Sequence, residues 1–363
     1  MLMMGRLLGG IAYSLLFSIF EAWLIGAHTE NGIKKYLSKS FTLAAYANSV
    51  VAIIAGLVGH HAASASKMVP ILHKETLYVG GYISPFDISM GALVLCGVLA
   101  LLLWEENFGD NNNSNNLHDH TAWHEGWKNA CVATFRSPDI LLCGVVSSLF
   151  EGSMYIFVFF WTPAITKAAS VAGQEDDAAA VPLGLVFSTF MICCMAGSSL
   201  FSILVAAGHK CERIAVGVLA VACVSMALTA MYSSRVSTSS NDTTTHLLWT
   251  MNLFEMTIGL YFPCIATLKS VIVPDAHRVA IYNLFRIPLN AIVLMSLLTK
   301  WTPTQSFHLC TGMLLTATIL QWILLKRRER HGSLVAGGAG KPTDDAEDIA
   351  PELELEREDS WSV

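Results

Sequence analysis

The sequence predicts an all-α polytopic membrane protein, a bundle of about nine transmembrane helices arranged in three-helix repeats. Three observations carry this expectation. The 363 residues are 53% hydrophobic and only 14% charged, with a mean hydropathy of +0.52, a balance foreign to soluble domains. Apolar runs of about 20 residues recur along most of the chain, each enough to cross roughly 30 Å of hydrocarbon at 1.5 Å per residue. The dipeptide Phe-Glu falls inside the first, fourth and seventh of these runs, as Phe20-Glu21, Phe150-Glu151 and Phe254-Glu255.

The first run covers about Gly5 to Ala27, with Arg6 at one end and Glu21 within it. It is too long for a cleaved signal peptide, and no small-residue cleavage site follows it. A basic loop with Lys34, Lys35 and Lys39 leads to the second run, about Ser40 to Ala62, whose Ala52, Gly56 and Gly59 permit close helix approach. Ser84, Pro85 and Asp87 form a helix start signal for the third run, which ends at Trp104.

The longest internal break, residues 105–137, contains the run NNNSNN and reads as a flexible linker between two halves. Its HEGWKNACVATF stretch predicts a short amphipathic helix on the membrane surface. His118, His120 and His124 lie in this break, but no carboxylate or cysteine pattern completes a metal site, so they are read as solvated loop histidines.

Ser137, Pro138 and Asp139 repeat the start signal for the fourth run, which carries Glu151 and reaches Trp161-Thr162-Pro163. The fifth run covers about Val181 to Ala207, and the sixth about Ile214 to Tyr232 beyond the basic turn GHKCER. The loop that follows holds the sequon Asn241-Asp242-Thr243, a glycosylation candidate. The ninth run covers about Thr304 to Leu325 and is stopped by KRRER. Residues 327–363 form an acidic tail that lacks a packable core and is expected to be disordered.

Lysine and arginine bias places the C-terminus, the 105–137 linker and the 28–39, 208–213 and 269–278 breaks on the cytoplasmic side. Asn241 and the N-terminus then lie outside. No cysteine pair falls in an external loop, so no disulfide is expected. A basic domain for nucleic acid is missing, as are zinc-ligand spacings and a nucleophile–base pair. An enzyme, a metal centre and a cofactor are therefore not expected.

The seventh and eighth runs, His246 to Thr299, hold the richest chemistry. Each carries a charge near its middle, Glu255 in one and Arg286 in the other. A charge there costs about 2.5–3.5 kcal/mol on insertion scales and needs a partner or a watery cavity. The short PDAHR break predicts that the two helices pack antiparallel as neighbours, with Glu255 and Arg286 at similar depth. Asn283, Arg286 and Asn290 share one face at i, i+3 and i+7. A guanidinium between two carboxamides suits an oxyanion; the other reading is an interhelical polar seam.

Phe-Glu in register every three helices suggests three-helix units, the first helix of each placing a carboxylate in a common cavity. These units, with a central cytoplasmic linker, resemble the major facilitator superfamily. Particular stretches resemble its molybdate-anion transporter family: GRLLGGIAYSLLFSIFEAWL (5–24), VVAIIAGL (50–57), SPFDIS (84–89), WEENFG (104–109), SPDILLCGVVSSLFEGSMYIFVFFWTPAI (137–165) and LFRIPLNAIV (284–293). The resemblance covers nearly all of residues 5–325. It aligns the nine runs with helices four to twelve of twelve, so that the first three helices and their glycine-and-basic loop are missing; GHKCER is at best a worn counterpart of that loop. The expected division is 1–104 for the remaining N-terminal half, 105–137 for the linker, 138–326 for a six-helix C-terminal half and 327–363 for the tail.

The resemblance implies uptake of molybdate or a similar oxyanion by alternating access, at the plasma membrane. Moving a dianion inward against about 100 mV costs roughly 2 × 2.3 kcal/mol, which uncoupled holds the inside concentration about a thousandfold below equality. Co-transported protons remove this penalty, and Glu151, Glu255 and Glu21 are the candidate carriers. Arg286 is the candidate anion ligand, with Asn283 and Asn290 as neutral donors. Arg6 near the outer mouth either recruits anions or snorkels to the interface. A shortened, non-transporting membrane partner or regulator, and a transporter of another small solute, stand as the alternatives.

Overall fold

The structure is a computed structural model. It describes residues 2–65, 67–70, 78–104, 120–171, 183–236, 241–274 and 277–337, with the side chains of some of these left aside. Among the described residues ten α-helices follow one another: α1 (Leu2–Glu30), α2 (Leu37–Ala65), α3 (Ser84–Leu103), α4 (His120–Arg136), α5 (Pro138–Val171), α6 (Leu183–Ala206), α7 (Cys211–Arg235), α8 (Asn241–Ile272), α9 (Arg278–Leu298) and α10 (Pro303–Gly337). Among the described residues eight of them, α2, α3 and α5 to α10, are long and apolar enough to cross a membrane. The expected first run lies in α1, 29 residues long. The chain is a multi-pass helical membrane protein.

The start signals act as read except at Ser84, expected as an N-cap, which is instead the first residue of α3; Ile83 holds the cap position without a side-chain hydrogen bond. Pro85 stands in the first turn of α3 with Asp87 beside it, and Pro138 opens α5 with Asp139, where a missing N–H and a carboxylate suit the helix N-terminus. The expected amphipathic stretch of the linker is α4, and only Ser137 separates it from α5. Two elements run more than three residues past their expected ends. α5 continues through Pro163 to Val171, and α10 continues through KRRER to Gly337. Charges explain the second: Arg327 pairs with Asp139 at 3.0 Å, Arg328 with Glu212 at 3.1 Å and Arg213 with Glu329 at 2.9 Å, tying α10 to the starts of α5 and α7. KRRER thus supplies partners for helix N-termini rather than a stop, and residues 327–337, expected in the disordered tail, are helical; the rest of that tail, 338–363, lies outside the described residues. A short antiparallel hairpin, β1 (Val69–Pro70) with β2 (Tyr78–Val79), lies between α2 and α3 and was not foreseen.

The core lies among α5, α6, α7, α8 and α10. Phe150 stacks on Tyr261 with ring centroids 3.7 Å apart, and Phe157 lies 4.9 Å from Phe254. These aromatics join α5 to α8 and supply the directional packing that apolar chains in lipid need in place of a hydrophobic drive. Glycines set the closest approach: a β-carbon at Gly259 of α8 would strike the carbonyl of Cys194 in α6, and one at Gly197 of α6 the carbonyl of Met256 in α8. Ser198 donates to the Gly259 carbonyl at 3.0 Å across the same seam. The end of α1 and the start of α2 reach this body through Ile25, Leu37 and Phe41, which pack on Ala266 of α8.

The expected pairing of the seventh and eighth runs is corrected. α9 packs on α5, α4 and α1, whereas α8 packs on α6, α7, α5 and α2. Sequence adjacency through a short turn did not decide the neighbours, because α5 offers α9 a better seat. Gly144 leaves room for the Phe285 ring, and Ser148 donates to the Phe285 carbonyl at 2.7 Å.

Candidate functional site

The α5–α9 seat fixes the direction of Arg286, the residue after Phe285. On α9, Arg278, Tyr282 and Arg286 stand at i, i+4 and i+8 and so form one stripe. Arg278 is buried and donates to the carbonyls of Ser270 at 3.2 Å and Val273 at 3.3 Å. It caps the C-terminal end of α8, where a cation meets orphan carbonyls.

One turn inside that end stands Lys269. Its ammonium lies 3.5 Å from Glu151 Oε1 of α5, with side-chain exposures of 11% and 16%, and 5.5 Å from the centroid of the Tyr282 ring. Glu21 of α1 completes the group. It lies in the field of Lys269, Glu151, Arg278 and Arg286, in that order. Its Oε1 is buried with no hydrogen-bond partner among the described residues. Four helices thus bring together three cations and two carboxylates. α1 comes from the expected N-terminal half and α5, α8 and α9 from the C-terminal one.

Two of the three Phe-Glu carboxylates, Glu21 and Glu151, share this cluster. The third does not. Glu255 is 5% exposed and sits beside Cys193 and Cys194 of α6, one turn from Asn252, which accepts from the Cys193 thiol at 3.3 Å. Nor does Glu255 meet Arg286. Glu255 lies 17 residues before the end of α8, about 25 Å at 1.5 Å per residue, while Arg286 lies only about 12 Å into α9. With antiparallel helices sharing one short turn, the two charges differ in depth by roughly 13 Å.

The polar stripe of α9 survives in part as a surface. Asn283 and Arg286 are half-buried, and Asn290 is exposed. Arg6 belongs to α1, but its side chain is outside the described ones, as are those of Asn241, the first residue of α8, and of His120 and His124; His118 lies outside the described residues altogether. Among the described residues no three His, Cys, Asp or Glu side chains converge as metal ligands. Sequence reasoning passed over Lys269, Arg278 and Tyr282. The lysine and Arg278 were counted as loop charges, yet the four-residue spacing of 278, 282 and 286 marks the stripe they join.

Residues 1–254 match a family described as sugar transporters with 12 transmembrane segments. The chain is 31% identical to a protein of Xenopus tropicalis named molybdate-anion transporter, over 299 residues that make up 82% of this chain and 59% of that one. Proteins of the same name from Xenopus laevis and Danio rerio are also 31% identical, over 326 and 351 residues, each match covering 88% of this chain and respectively 65% and 67% of the relative. The chain belongs to the molybdate-anion transporter family of the major facilitator superfamily. It spans 59–67% of the length of these relatives. The family is one of transporters, not enzymes, and in that light the mixed-charge cluster among α1, α5, α8 and α9 is the candidate for the site that a solute meets.

Proposed function

We propose that the chain is a secondary active transporter that carries molybdate or a related tetrahedral oxyanion across a membrane by alternating access. The observation that supports this most is the convergence of Lys269, Arg278 and Arg286 with Glu21 and Glu151 inside the helical bundle. Three cations facing two carboxylates leave a positive balance, and intramembrane ionisable groups of this kind mark substrate and proton routes. A neutral sugar needs no such balance; a dianion does. The names of the relatives point to the same substrate class.

In this reading Arg286 is the principal anion ligand, its planar fork matched to two oxygens of the substrate. Asn283 and Asn290 supply neutral donors, and Arg6 gathers anions at the outer mouth. Glu151, Glu21 and Glu255 carry protons, so that a dianion enters without the full electrical penalty of about 2.3 kcal/mol per charge per 100 mV. Segments 1–104 and 138–326 act as the two moving units about the 105–137 linker. The protein resides in the plasma membrane with its C-terminus, including residues 327–363, on the cytoplasmic side.

The test is uptake of radiolabelled molybdate by vesicles reconstituted with the chain. Saturable uptake above that of empty vesicles, competed by tungstate and indifferent to glucose, is expected. Uptake equal to empty vesicles, or competition by glucose alone, contradicts the reading.

A further inference from the structure

Lys269 differs from the other cations of the cluster. Arg278 is held by two carbonyls at the end of α8 and does a helix cap's work. Among the described residues Lys269 makes one ion pair, with Glu151, 3.5 Å long, where a tight charge-assisted bond is roughly 2.7–2.9 Å. Its ammonium is a compact charge on a long stem with rotatable donors. The Tyr282 ring beside it offers a second face on which the ammonium can rest. A loosely held, nearly buried lysine between a carboxylate and an aromatic ring is built to change partners.

We propose that Lys269 is a substrate ligand for which the oxyanion and Glu151 compete, the incoming dianion taking the ammonium and the displaced carboxylate taking a proton. This deepens the transport reading and rests on it. A carboxylate stripped of its cation in a buried site is strongly disfavoured unless it is neutralised, so anion entry and proton uptake become one event. One proton from the aqueous side neutralises Glu151. Glu21, whose buried Oε1 has no hydrogen-bond donor among the described residues, accepts a second. Two protons with one dianion make the loaded state electrically neutral, which removes the cost set by the membrane potential. The groups that face the pair are Glu21 from α1, Cys143 from α5, Tyr261 from α8, and Arg278, Tyr282 and Arg286 from α9. Lowering the pH shifts the competition toward the anion.

Equilibrium binding of radiolabelled molybdate to the chain in lipid nanodiscs, near pH 5.5 and near pH 7.5, tests this. Wild-type protein is expected to bind about tenfold more tightly at the lower pH, because binding that takes up protons is favoured as their concentration rises. Glu151→Gln should bind at the higher pH about as tightly as wild type does at the lower. Lys269→Gln should weaken binding about tenfold or more at both, the scale of one lost charged contact. The charge-balanced double variant Glu151→Gln/Lys269→Gln keeps the packing volume and serves where a single variant fails to fold; it should be monodisperse and bind as weakly as Lys269→Gln. Wild-type affinity in the double variant, or an undiminished pH ratio in Glu151→Gln, overturns the role of Lys269 and leaves the transport reading standing. No molybdate binding by wild type at either pH overturns the transport reading and this inference with it.

Discussion

Lys269 of α8 and Glu151 of α5 form an ion pair of 3.5 Å, with side chains only 11% and 16% exposed, in a chain whose helices cross a membrane. The pair joins α5 to α8, and Glu21 and Arg286 extend it to α1 and α9.

A buried pair of this kind predicts a thermodynamic cycle. Glu151→Gln and Lys269→Gln should each lower the stability of the purified protein, at most by the roughly 3–5 kcal/mol that an orphaned buried charge costs. The loss should be smaller for Glu151→Gln, because Glu21 still faces Lys269. The double variant should recover most of it. Thermal unfolding in detergent measures the cycle, and a double variant as unstable as the sum of the singles contradicts it.

The α6–α8 seam predicts a steric asymmetry among glycines. Gly259→Val places a β-carbon against the Cys194 carbonyl, and overpacking of this kind costs about 1–3 kcal/mol or more. Gly217→Val on α7 has nothing within 4 Å of its new β-carbon and should be tolerated. The yield of monodisperse protein compares the two. Equal yields contradict the close approach of α6 and α8.

Charge bias predicts topology. A tag after Val363 and another within residues 105–137 should be accessible from the cytoplasm, and a sugar acceptor at Asn241 should be used. Protease protection of either tag in inside-out vesicles, whose cytoplasmic face is outward, or an unglycosylated Asn241 beside a glycosylated site in the 105–137 segment, inverts the orientation.

Much of the architecture was legible because apolar run length and Ser-Pro-Asp start signals act locally. α3 and α5 begin where Pro85 and Pro138 said they should. The register of Phe20-Glu21 and Phe150-Glu151 also placed two carboxylates in one cluster. What periodicity cannot supply is the neighbour each face meets. Glu255 stands in the same dipeptide but turns to Cys193 and Cys194 of α6, since Gly197 and Gly259 draw those two helices together. Lys269 was hidden for a different reason. A lysine three residues from the end of an apolar run looks the same in sequence whether it reaches out to water or in to a carboxylate, and only the position of Glu151 decides between them. The extension of α10 through KRRER was likewise invisible without Asp139 and Glu212 opposite it.

The most direct test of the central claim is the concentration dependence of molybdate uptake by Arg286 variants at matched abundance in the membrane. Arg286→Lys keeps the charge and loses the planar fork. It should raise KM about tenfold, the scale of one lost charged hydrogen bond, with little change in the amount of folded protein. Arg286→Gln should abolish measurable uptake. Wild-type uptake by Arg286→Gln would contradict the claim that this cluster holds the anion.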